Sequence, residues 1–106
     1  MPKYMVQASY TKDGVKGLLK EGGTSRRRVV EDLLKGLGGS LEAFYYAFGK
    51  DDVYGIADLP DHATAAAFSL AVGASGAVNI KTIVLITPEE IDEASKKSVG
   101  YRPPGS

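Results

Sequence analysis

The sequence predicts an α+β two-layer sandwich, and three observations predict it. Strand-like and helix-like stretches alternate in the order β-α-β-β-α-β. The two central strands are joined by Gly49-Lys50-Asp51, too short for anything but an antiparallel hairpin. Both faces of that hairpin are apolar, so both need a cover. Right-handed crossovers around an antiparallel hairpin give the ferredoxin-like topology. Its sheet holds four antiparallel strands in the order 4-1-3-2, with the helices on one face.

Taken in order, Lys3–Tyr10 alternates as a strand, with Tyr4, Val6, Ala8 and Tyr10 on one face and Met5, Gln7 and Ser9 on the other. Thr11 is placed to cap a short helix, Lys12–Lys20, which Gly14 and Gly17 weaken. Gly22-Gly23 interrupts it. Thr24 then caps a second helix, Ser25–Leu37, whose Val29, Val30, Leu33, Leu34 and Leu37 make one buried stripe. Gly38-Gly39 ends that helix.

The hairpin strands are Leu41–Phe48 and Asp52–Leu59. If Gly49 pairs with Asp52, Phe48 faces Val53, Tyr46 faces Gly55 and Phe44 faces Ala57. The opposite face then carries Leu41, Ala43, Tyr45 and Ala47 against Tyr54, Ile56 and Asp58. Asp61, after Pro60, starts a helix over His62–Ala74 that is rich in small residues and closed by Gly73 and Gly76. Ala77–Thr87 is the last strand, heavy in β-branched residues. Pro88 opens a short helix with Glu89 and Glu90 in its first turn, where the helix dipole favours acids. Residues 1–97 make the folded domain and Ser98–Ser106 a tail, with Tyr101 as an anchor if the tail docks across a second subunit.

Length and composition set limits. The 106 residues fit one domain. At 43% hydrophobic and 25% charged, the chain is an ordinary globular protein. Thirteen basic and thirteen acidic side chains cancel, which argues against nucleic-acid or anionic-membrane partners. There is no cysteine, hence no disulfide, thiolate nucleophile or cysteine metal site, which suits a reducing cytoplasm. No apolar run reaches the ~18 residues of a membrane span. The N-terminus runs straight into a strand, so no signal peptide is expected. With helices on one sheet face, the other still presents Tyr45, Tyr54, Ile56, Ile83 and Leu85. A patch of that kind rarely stays exposed in a monomer, so the expected partner is a second copy, packed sheet face to sheet face.

The chemistry-bearing stretch is Gly22-Gly23-Thr24-Ser25-Arg26-Arg27-Arg28. A helix start offers unpaired N–H groups, and arginine forks suit carboxylate or phosphate. Arg26 lies along the buried stripe and needs a partner: a ligand, Glu42 or another carboxylate. In the expected topology Tyr10, Tyr46 and this helix start meet at one end, floored by Phe44 and Phe48. Tyr10, Arg26, Arg27 and Tyr46 are therefore the candidate ligand-binding residues, for a small acidic or aromatic molecule. The competing reading is core packing with solvated charges. The glycine spacing and lysine of a P-loop are missing. His62, the only histidine, falls at the other end, where surface capping is expected; with Asp58 and Asp61 it makes too sparse a set for a metal. Asp51 and Asp52 read as a solvated hairpin tip. No metal and no cofactor are expected.

Several motifs together carry a resemblance. They are Met1-Pro2-Lys3-Tyr4, Gly14-Val15-Lys16-Gly17-Leu18, Gly22-Gly23-Thr24 with Arg26-Arg27, Gly38-Gly39 and Leu41-Glu42-Ala43-Phe44-Tyr45. Further along come Phe48-Gly49, Asp52-Val53-Tyr54, Ala57-Asp58-Leu59-Pro60, Ala74-Ser75-Gly76-Ala77-Val78 and Thr87-Pro88-Glu89-Glu90. Nearly the whole chain thus resembles the bacterial GYD-domain family. The resemblance implies a small ferredoxin-like domain with a dimeric α/β-barrel-like assembly, and no settled activity. One departure stands out: the turn reads Gly49-Lys50-Asp51-Asp52, without the tyrosine the family has there. Two functions follow as expectations: a homo-oligomeric binding or assembly module, or a cofactor-independent monooxygenase or isomerase of the dimeric α/β-barrel kind. An open cavity reaching Tyr10, Arg26 and Tyr46 favours the enzyme; a filled core favours the module.

Overall fold

A computed structural model describes residues 1–105. The elements run β1 (Lys3–Tyr10), α1 (Lys12–Glu21), α2 (Gly23–Gly36), β2 (Ser40–Tyr46), β3 (Val53–Asp58), α3 (His62–Ala74), β4 (Val78–Leu85) and α4 (Pro88–Ser95). The four strands form one antiparallel sheet in the order β2-β3-β1-β4, the expected ferredoxin-like arrangement. β2 and β4 are its edges.

The core follows from the alternation of β1 and β3. Tyr4, Ala8, Val53 and Ala57 point to one face and are buried. Leu34 of α2 and Ala65 and Phe68 of α3 close over Tyr4 and Ala57, with Val30, Leu37, Leu41 and Ile80 around them. Burying each large apolar side chain here contributes roughly 1.5–3 kcal/mol. The opposite face carries two cross-sheet rows set by the strand registers: Tyr45, Tyr54, Gln7 and Lys81, then Ala43, Ile56, Met5 and Ile83. Tyr45 is 71% exposed and Ile83 42%.

Helix ends agree with the sequence in three places and differ in one. The Thr11 side chain accepts from the Gly14 N–H, and its hydroxyl donates to the Gly76 carbonyl, so the cap also ties α1 to the start of β4. Asp61 caps α3 through the Thr64 N–H at 2.7 Å. Thr87 and Glu90 form a capping box at α4. Thr24, expected as a cap, lies inside α2. The helix begins two residues earlier, at Gly23, its cap is Gly22 (φ 88°), and no side chain caps it. A glycine tolerates that left-handed backbone where a threonine does not.

The hairpin differs from expectation in register. Tyr46 pairs with Val53, Tyr45 with Tyr54 and Phe44 with Gly55, a slip of two residues. A two-residue slip keeps every side chain on its face, so the ring lying over Gly55 is Phe44 and not Tyr46. Glu42 is an extra residue between the Leu41 and Ala43 pairs. This bulge turns Leu41 to the helix face, where it joins the core margin, and not to the face shared by Ala43 and Tyr45. The slip has a cause at the turn. Asp52 N–H donates to the Ala8 carbonyl, and the Asp52 carboxylate accepts from the Tyr10 N–H, both at 2.8 Å. The turn is therefore stapled to the end of β1, β2 stops at Tyr46, and Phe48 is left fully exposed. Asp52 is thus a structural link and no solvated tip.

Beyond β4 the chain leaves the sandwich. Every residue of α4 is exposed, and so are the described residues after it. The radius of gyration is 17.0 Å, against about 13 Å for a compact chain of ~100 residues. Ser106, the last residue of the expected tail, lies outside the described residues.

Candidate functional site

The sequence-predicted residues gather where the start of α2 meets the ends of β1 and β2. The Tyr46 hydroxyl donates to the Gly23 carbonyl at 3.0 Å, and its ring stacks edge-on against Phe44 with centroids 5.4 Å apart. Gly23 leaves room for that ring: a Cβ on it would sit 3.0 Å from Tyr46, which would have to shift by a few tenths of an ångström. Tyr10 lies beside Tyr46 and Arg26. Burial pushes its phenol up to about 12, the Tyr46 hydroxyl adds to the rise, and the Arg26 charge pulls the other way. Near neutral pH Tyr10 is therefore a protonated hydrogen-bonding group.

The arginines divide. Arg26 is half-buried and pairs with Glu21 at 3.3 Å, so of the partners expected for it, a ligand, Glu42 or another carboxylate, the structure supplies another carboxylate. Glu42, carried out by the bulge, pairs with Lys3 at 3.3 Å, and Lys3 also holds Asp58 at 2.9 Å. Arg27 turns outward and meets Glu31 one helical turn on, at 3.6 Å.

The space at this site lies outside the sandwich. Between α2, α3 and the sheet, among the described residues, lies an enclosed pocket of about 20 Å³, walled by Val30, Leu34, Phe44 and Phe68 among others, and an open one of about 180 Å³ lies between α3 and β4. The enclosed pocket has room for a single water, and its apolar lining keeps it dry. Along the free edge of β2, by contrast, runs a groove. One stretch of about 450 Å³ is lined by Gly23, Thr24, Arg27, Phe44, Tyr45 and Tyr46. A second, of about 290 Å³, continues past Arg27 to Glu31, Leu41 and Glu42. Of the four candidate residues, Arg27 and Tyr46 line the groove. Tyr10 and Arg26 stand behind Tyr46, and Phe48, expected in the floor, is out in the turn. Tyr45 enters the groove unforeseen, because an edge strand lets a side chain of the open face reach the groove as well.

A second polar contact sits at the other end. The hydroxyl of Tyr4, a residue only 1% exposed, hydrogen-bonds His62 Nδ1 at 2.5 Å, with the rings edge-to-face. His62 thus satisfies a buried phenol, while the helix cap is Asp61. Burial raises the Tyr4 phenol; the Thr64 hydrogen bonds lower the Asp61 carboxyl. Among the described residues no three His, Cys, Asp or Glu side chains are placed to hold a metal ion. No helix among them is long and apolar enough to cross a membrane.

The sandwich, its open sheet face and its edge groove define a ferredoxin-like α+β domain with one layer uncovered. The GYD domain family model matches residues 4–95, and the chain belongs to that family. No curated protein and no solved structure matches it.

Proposed function

We propose that this chain is a homo-oligomeric binding and assembly module. Two copies pair through the open sheet face, and the groove at the β2 edge takes an acidic or aromatic group. The observation that carries this reading is the open face. Tyr45, Tyr54, Ile56, Met5 and Ile83 share it, and each helix that contributes to the core packs on the opposite side. Apolar surface of this kind is stabilised by removal from water at about 25 cal/mol per Å². For the groove, the support is its lining: Arg27 offers a fork for a carboxylate or phosphate, and Phe44, Tyr45 and Tyr46 offer ring surface.

Two observations support binding over catalysis by a monooxygenase or isomerase. Such chemistry needs a cavity that takes its substrate out of water, and the enclosed pocket between α2, α3 and the sheet, on the Phe44 side, holds about 20 Å³. A phenol pushed up to about 12 is also a poor general base near neutral pH.

Native mass spectrometry of the undenatured full-length protein tests both halves. The expected spectrum is a dimer or a larger even assembly. Added mass from an acidic or aromatic compound, lost in Arg27→Gln, supports the groove. A monomer at ~10 µM, where a micromolar pairing is at least half formed, removes the pairing of sheet faces.

A further inference from the structure

We infer that the occupant of the β2-edge groove is the acidic C-terminal arm of a second copy of this chain. The inference rests on the homodimer reading above and names the partner for its groove.

The arm is a poor fit to its own subunit. α4 carries Glu89, Glu90, Asp92 and Glu93 with no basic residue, and Ile91 among them is 53% exposed. Further on, Val99 and Tyr101 are 79% and 71% exposed. A helix that keeps its apolar residue this exposed on its own chain is short of a surface. The radius of gyration of 17.0 Å exceeds that of a compact chain of this length.

The groove supplies the complementary features. Its larger stretch is lined by Arg27 and no acid, with Arg28 exposed next along α2 and walls that include Phe44, Tyr45 and Tyr46. The smaller stretch, nearer Ser40, carries Glu31 and Glu42, with Glu31 already paired to Arg27, so the basic contact falls to the Arg27–Arg28 end. Acids on one surface and arginines on another, both on the same chain, favour pairing between copies and set the register of that pairing.

Sheet order makes the contact reachable. The order is β2-β3-β1-β4. When two such sheets face each other about a two-fold axis parallel to the strands, β4 of each lies over β2 of the other. Leu85 and Ser40 flank the same end of the sheet, through Lys3 and Asp58. The arm therefore leaves beside the Ser40 end of the partner's β2. From there α4, about 12 Å long, runs along a strand of roughly 20 Å. Its acids come level with Arg27, and the residues after it reach the tyrosine end.

Charge exchange on the full chain tests this. Sedimentation equilibrium at low salt gives the dimer Kd of the parent chain, of Arg27→Glu, of the double variant Asp92→Lys with Glu93→Lys, and of all three substitutions together. Asp92 and Glu93 lie outside the Thr87–Glu90 capping box, so α4 keeps its start. Each one-sided variant is expected to raise Kd about tenfold or more, and the combination to bring it back toward the parent value. Arg27→Gln, with no new acid beside Glu31, is expected to weaken pairing in the same direction. A dimer whose Kd ignores these changes, or is not recovered by the exchange, overturns the arm contact while the paired sheets stand. A small molecule held in the groove of the dimer by Arg27 also overturns it. A parent chain that stays monomeric removes the homodimer reading and the arm contact with it.

Discussion

At the scale of single residues, the side chains at the β1–β2 end are held by specific partners, and one of them makes a pH prediction. Tyr10 is pushed up to about 12, mainly by burial. A free phenol titrates near ~10. Below about pH 10 folded and unfolded chains both keep the proton, and the Tyr10 contribution to stability is whole. Between about 10 and about 12 the unfolded chain ionises first, so stability falls as pH rises through that window. Burial shifts Tyr4 in the same direction, so the Tyr10 share is the difference between the parent chain and Tyr10→Phe. Urea midpoints measured along the alkaline limb are expected to drop less steeply in the variant. Equal slopes would mean that Tyr10 is solvated in the folded state.

At the scale of elements, the junctions decide what side chains can stand where. Gly38 has φ 82° and turns the chain out of α2. Gly39 follows with its Cα against β3: a Cβ there would lie 2.1 Å from the Asp58 carbonyl oxygen. That contact is with backbone and cannot swing aside. Gly39→Ala is therefore expected to destabilise the fold by about 1–3 kcal/mol. Gly36, the last residue of α2, has open space where a Cβ would go. Gly36→Ala is expected to stabilise by up to about 1 kcal/mol, through helix propensity alone. Chemical denaturation of the pair reads the contrast, and equal effects would contradict the close approach of Gly39 to the Asp58 backbone.

Elements are also where the sequence was legible and where it stopped being so. Strand and helix types and their order are written in local periodicity, and the structure has them all. The apolar faces hold except at Leu41 and along α2, where Val29 and Leu33 of the expected buried stripe are 44% and 40% exposed because the stripe is wider than the part of α2 that meets the sheet. Register is not local. A slip of two residues preserves every face, so alternation alone cannot separate Tyr46 opposite Gly55 from Phe44 opposite Gly55. The tie that decides it joins Asp52 to Ala8 and Tyr10 across the sheet. The bulge at Glu42 is hidden for the same reason, and with it the turning of Leu41 into the core margin. At the site, the meeting of Tyr10, Arg26 and Tyr46 followed from topology. The groove did not, because it depends on which way Arg27 turns and on β2 being an edge. Nor did the Tyr4–His62 contact, which joins β1 to the first turn of α3.

At the scale of the whole molecule, a sheet covered on one side only carries the last prediction. Ile56 sits in the middle of the open face, between Ala43 on β2 and Met5 on β1, with Ile83 beyond Met5. Its side chain points away from the Tyr4–Leu34–Phe68 core, so exchanging it leaves the packing of that core in place. In the proposed pair of sheets the same position lies near the centre, where truncations cost most and a charge would lose its water. Ile56→Lys is therefore expected to keep the far-UV circular dichroism of the parent chain and to raise the dimer Kd about thirtyfold or more, equivalent to roughly 2 kcal/mol. Lys81→Ala, on the β4 edge of the same face, is expected to change Kd by less than about threefold, as rim positions do. Sedimentation velocity across a dilution series separates the two. If Ile56→Lys dimerises like the parent chain, the open face is not where the copies meet, and an edge, β2 or β4, takes its place as the surface to test.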